Sequence, residues 1–154
     1  MPDGPRYDDD FYAWTKYQAD VLRSVRIRDN RFDREHVAEE IEDLGKSYRD
    51  AARSQVRRIL EHLLKLAYSP ATDPRADWMT SIAEARDSLK DQLTPTLRHD
   101  VETMLDRLYQ DARHRAEIAL GRFGEVAAKR ALPAACPYSL DEIVQDQWYP
   151  EGPK

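Results

Sequence analysis

Five acids, Glu35, Glu39, Glu40, Glu42 and Asp43, crowd around His36 in the stretch EHVAEEIEDLGKSYRD, residues 35–50. Carboxylates beside an imidazole are the donor set of metal sites and of general acid–base pairs, so spacing must decide between such a site and a solvated helix face. On a 3.6-residue wheel the acids point in several directions, and only Glu40 reaches the edge of an apolar stripe. Bundles that hold two iron ions direct Glu-x-x-His pairs into their core, and this chain offers Asp33 with His36 and Asp111 with His114. His36, His99 and His114 all fall on polar faces, and Asp33 is better placed as a helix cap.

His62 differs. It lies within about 20° of Val37, Gln55 and Leu66 on the apolar stripe and is expected to face the core. Two roles are open to it: a hydrogen-bonded structural histidine, or the centre of an interhelical polar site with Gln18, Arg86 and Asp111 as partners. Asp111 flanks the apolar face of a later helix as Glu40 does that of its own. His62, Glu40 and Asp111 are thus the candidate catalytic residues, and Gln18, Glu40, His62, Arg86 and Asp111 the candidate polar network. For the two acids an arginine partner such as Arg58 or Arg86 fits better than a metal. Glu40 and His62 stand 22 residues apart, which is about 33 Å of continuous helix and too far for one ion within a chain. No metal or cofactor is expected.

Other signatures are accidental or missing. Gly45-Lys46-Ser47 resembles the end of a phosphate-binding loop, but Glu40 stands where the earlier glycine is required. The sequence has no G-x-S-x-G, H-E-x-x-H or C-x-x-C. Its one cysteine, Cys136, has no histidine nearby and reads as a plain thiol. Arg49, Arg53 and Arg57, four residues apart, form a stripe that could meet phosphate or an acidic partner, although Asp50 and Glu61 beside it suit a solvated, self-paired face.

The elements that must position these residues read as helices. The chain has 154 residues, 34% charged, a net charge of -5 and only five glycines, with a mean hydropathy of -0.80. Such a balance argues against a dedicated nucleic-acid binder and against a membrane span. The single cysteine and the acidic start MPDGPRYDDD, which lacks a secretory signal, point to a cytoplasmic protein. A first helix opens at Asp8 or Asp9, with Phe11, Trp14, Gln18, Leu22 and Val25 on one stripe. A second, capped by Asp33, carries Val37, Ile41, Leu44, Tyr48, Ala52, Ile59 and Leu66 until residues 69–74. Its stripe keeps phase across Gly45, which predicts one very long helix.

A third helix covers about 74–92, with Trp78, Ile82, Ala85 and Leu89 on one face. A fourth starts at Thr94-Pro95 and runs to Gly121 through Leu97, Val101, Met104, Leu108, Ala112 and Ala119. Ser139 and Glu142 form a capping-box pattern for a short last helix. The expectation is an all-α bundle of about four main helices plus a short C-terminal helix, one domain over 1–154 with an ordered core of about 7–150.

Six blocks in fixed order carry a family resemblance: YDDDFYAWTKYQADVLR, HVAEEIEDLGKS, HLLKLAY, Trp78 with Glu84 to Arg86, YQDAR and CPYSLDEIVQDQWYP. Together they resemble the bacterial family catalogued as domain of unknown function 29, from Tyr7 to Pro150. The resemblance implies an all-helical single domain and no established activity, cofactor or catalytic residue. The expected function is therefore non-enzymatic association, with another copy or a protein partner. The alternatives are an enzyme or metal-binding site around His62, and weak nucleic-acid association through the arginine stripe.

Overall fold

The computed structural model describes residues 3–154, so Met1 and Pro2 at the acidic start lie outside the described residues. Six helices follow in order: α1 Phe11–Ser24, α2 Arg34–Tyr68, α3 Arg75–Gln92, α4 Pro95–Arg122, α5 Val126–Ala131 and α6 Leu140–Val144. There is no strand among the described residues. The expected all-α bundle with four long helices and a short C-terminal one is present, with the six-residue α5 in addition.

α2 runs through Gly45 without a break, and its 35 residues make a rod of about 52 Å. It is the spine on which α1, α3 and α4 pack. Over its C-terminal half Val56, Ile59, Leu60, Leu63, Leu64 and Leu66 are all buried, because α3 and α4 cover it from two sides. Ile82, Ala85 and Leu89 of α3 and Val101, Leu108, Tyr109 and Ala112 of α4 complete that core. Arg53 ties α2 to α4 through a two-pronged pair with Asp100, at 2.8 and 2.7 Å.

The N-terminal half of α2 has a thinner surround, with α1 as its main neighbour. The faces in contact are those of the small residues Ala38, Gly45 and Ala52 on α2 and of Tyr12, Thr15 and Ala19 on α1. A Cβ built on Gly45 would stand 2.0 Å from the Thr15 hydroxyl oxygen, so glycine is what lets the two helices approach this closely. The larger apolar residues assigned to the core stripe lie off that contact. Val37, Leu44 and Tyr48 are exposed, and Ile41 is half-buried. On α1, Phe11, Trp14, Gln18 and Leu22 are half-buried and Val25 is exposed. The apolar stripe is continuous, with Ala52, Ile59 and Leu66 buried in the core, but among the described residues no element covers its N-terminal part at Val37, Leu44 and Tyr48.

Helix ends follow from local chemistry. Thr94 caps α4 ahead of Pro95, and Ser139 with Glu142 forms the capping box of α6. The cap of α1 is Asp10, in place of the expected Asp8 or Asp9. Its Oδ1 accepts from the Ala13 amide at 3.0 Å and its Oδ2 from the Thr96 amide at 2.9 Å, so one carboxylate serves the first turns of both α1 and α4. Burial alone would raise the pKa of this group, but those amide hydrogen bonds prevail and hold it below the ordinary carboxylate value.

Candidate interaction surface

The five polar candidates do not meet: no hydrogen bond or ion pair joins any two of them among the described residues. His62 is half-buried on α2, and its Nδ1 lies 2.7 Å from the Arg58 carbonyl oxygen one turn earlier. That contact fixes Nδ1–H as the donor, and burial lowers the ring's pKa below its ordinary value. Asp111 is exposed, with Arg57 3.9 Å away. Glu40 is exposed on the N-terminal half of α2, and Gln18 is half-buried on α1.

Arg86 has the most specific role of the five. It is fully buried in α3, donates from Nε to the Ile143 carbonyl at 2.8 Å and from Nη2 to the Glu142 carbonyl at 3.2 Å, and its guanidinium lies over the Tyr149 ring. These are the last carbonyls of α6, so the arginine docks the C-terminal tail by satisfying a helix end. The sequence marks Arg86 as a partner for an interhelical polar site, but backbone acceptors 56 and 57 residues away leave no sequence signal.

The other charged candidates are engaged as well. In the arginine stripe, Arg49 pairs with Asp50, Arg53 with Asp100 and Arg57 with Asp111. Within the acidic stretch Glu42 binds Arg23 at 2.7 Å and Lys46 at 3.2 Å, Glu35 meets Arg34, and His36 bonds the cap Asp33. No group of three or more metal-ligating side chains converges among the described residues. No helix among them is long and apolar enough to cross a membrane.

A hollow of about 790 Å³ opens beside the α2–α3 turn, between Pro70, Pro74, Trp78 and Phe123. Of the polar groups at its wall, Lys65 pairs with Glu61 at 3.0 Å and Glu125 accepts from Ser69 at 2.9 Å, while Asp73 and Asp77 line it as carboxylates with no histidine or cysteine beside them.

The apolar face of the α1–α2 arm remains as the feature without a partner. Phe11 packs on Tyr48 with ring centroids 4.7 Å apart, stacks on Trp14, and meets the exposed ring of Tyr7 edge-on. From this aromatic base the stripe climbs α2 through Leu44, Ile41 and Val37, where a shallow groove of about 490 Å³ is lined by those three with Glu40 and His36. Leu44 is 49% exposed, Tyr48 45% and Val37 36%. Residues 37, 41, 44 and 48 alternate steps of four and three, the spacing of a seam that meets another helix. An isolated exposed leucine is ordinary, whereas a contiguous seam of this kind marks an interaction site.

Comparison with known proteins agrees with this architecture. A family model, described as "Domain of unknown function DUF29", matches residues 6–149. The chain belongs to that family. A crystal structure of an alpha-helical protein of unknown function from Rhodospirillum rubrum ATCC 11170 is similar to it with a TM-score of 0.80 at 28% identity, covering 95% of this chain and 93% of that one. No curated protein matches. The DUF29 assignment thus extends over the arm as well as the bundle.

Proposed function

We propose that the protein works by association, and that the apolar face of the α1–α2 arm is its docking surface. The supporting observation is the uncovered seam Val37, Ile41, Leu44 and Tyr48, continuous with Phe11 and Trp14, on a part of the molecule only two helices thick. Two helices bury one face each against the other, and their remaining apolar surface gains free energy when a further layer covers it. Catalysis finds less support. Arg86, His62 and Asp111 meet structural partners, Glu40 stands on the surface, Gln18 is half-buried on α1, and no pair is arranged as nucleophile with base.

Site-specific photo-cross-linking tests the reading. A photoreactive amino acid at position 44 is expected to give discrete adducts in cells, while the same group at position 114, exposed on α4, gives none. Equal labelling from both positions, or none from 44, contradicts it.

A further inference from the structure

Resting on the association reading, we infer that the occupant of the arm face is a second copy of this chain, packed antiparallel about a twofold axis into a four-helix bundle. The inference starts from spacing. In the seam 37-41-44-48 the steps are four, three, four, so the series reads the same in both directions. A twofold axis at the level of Glu42 and Asp43 sets Val37 opposite Tyr48 of the second copy and Ile41 opposite its Leu44.

The same axis also suits α1. Phe11 touches Tyr48, and the Val25 carbonyl accepts from Arg34 at 2.8 Å, so Phe11 to Val25 and Arg34 to Tyr48 run side by side in opposite directions. The level of Glu42 and Asp43 on α2 is therefore that of Lys16 and Tyr17 on α1. About that level Phe11 stands opposite Leu22 of the second copy, and Trp14 falls within one residue of its Gln18. Two layers of two helices then close a bundle core.

Charge supplies an independent reason. The tip of the arm carries Arg26 and Arg28, exposed and outside every ion pair in the described chain, whereas Arg31 is held by Asp29 at 2.7 Å. The base of α1 carries Asp8, likewise exposed and without an ion pair among the described residues, beside Asp9, which pairs with Arg6 at 3.6 Å. Antiparallel packing brings each basic tip to the acidic base of the other copy. A parallel pairing would set tip on tip and leave like charges together.

The test uses the full chain with Cys136→Ser, carrying either Val37→Cys or Tyr48→Cys. Under mild oxidation the mixture is expected to form the 37–48 disulfide several-fold faster than either variant alone forms its homodisulfide. In the proposed register like positions are 11 residues out of level, about 16 Å along the axis. Circular dichroism and sedimentation of the reduced variants establish that each is folded and dimeric. Arg28→Asp, which leaves the seam intact, is expected to weaken the dimer at least tenfold in low salt.

Homodisulfides forming as readily as the mixed one, or a folded dimer that does not cross-link, overturns this arrangement. A strictly monomeric native chain overturns the second copy. If position 44 then still photo-cross-links to a different protein, the association reading stands without this inference; if it cross-links to nothing, both fail.

Discussion

Replacing Gly45 by alanine separates helix propensity from packing. In an exposed helix interior the change would stabilise by roughly 0.8–1.0 kcal/mol. Here the new methyl meets the Thr15 hydroxyl oxygen at 2.0 Å and the Thr15 Cβ at 3.0 Å. Thr15 is fully buried, and its hydroxyl donates to the Tyr12 carbonyl at 2.7 Å. Relief requires Thr15 to turn and give up that bond, about 1 kcal/mol, or the helices to part, an overpacking cost of about 1–3 kcal/mol. The expected net result is a loss of up to about 2 kcal/mol, the packing term cancelling or exceeding the gain in propensity. Urea unfolding followed by tryptophan fluorescence measures it as a lower midpoint at unchanged slope. Thr15→Ala removes the clashing oxygen, so the double variant should recover most of the loss, a coupling of about 1 kcal/mol. A Gly45→Ala protein stabilised by the full propensity gain of roughly 0.8–1.0 kcal/mol, or strictly additive singles, would refute the close approach of α1 and α2.

Three further outcomes follow from the geometry. Arg86→Ala should destabilise by about 2–4 kcal/mol, since it strips two carbonyls of a charged donor in a buried site, and Arg86→Lys should restore little because one ammonium cannot reproduce the fork; calorimetry with proteolysis of the tail as readout checks both. His62, with its folded pKa below the ordinary 6.5, binds its proton more readily when unfolded. Its contribution is therefore complete above about pH 6.5 and is lost as pH falls through the folded value; His62→Asn should flatten that part of the stability–pH curve, and equal curves would contradict the burial argument. Asp10 has a folded pKa below 3.8, so its contribution is present above that value and lost as pH falls through the folded one; Asp10→Ala should cost about 1–2 kcal/mol at neutral pH and show a shallower acid limb in denaturant titrations.

Much of the fold was legible because helices announce themselves locally. Thr94-Pro95, Ser139 with Glu142 and the unbroken phase through Gly45 each depend on a few neighbouring residues, and each appears as read. α5 had no such mark, since its six residues lack a side-chain cap. What covers a stripe is a tertiary matter. The pattern of large residues pointed to Val37, Leu44 and Tyr48 as core, while α1 settled on the neighbouring face of Ala38, Gly45 and Ala52, whose small side chains permit closer contact. For the same reason the polar candidates could be placed on faces but not joined to partners: the acceptors of Arg86 are backbone atoms of the tail. That of His62 is the carbonyl of its own preceding turn. The surface that matters most to the proposed function was thus visible as a pattern and misplaced as core.

The uncovered seam is the centre of this account, and sedimentation of the native chain beside Leu44→Glu addresses it most directly. Leu44 is half exposed and lies outside the buried core, so the substitution should leave the helical spectrum nearly unchanged. The native protein is expected to sediment at twice the 17.9 kDa chain mass and Leu44→Glu as a monomer at the same concentration. A native monomer would contradict a second copy as the occupant of the seam, and a Leu44→Glu dimer as tight as the native one would contradict the seam as the contact.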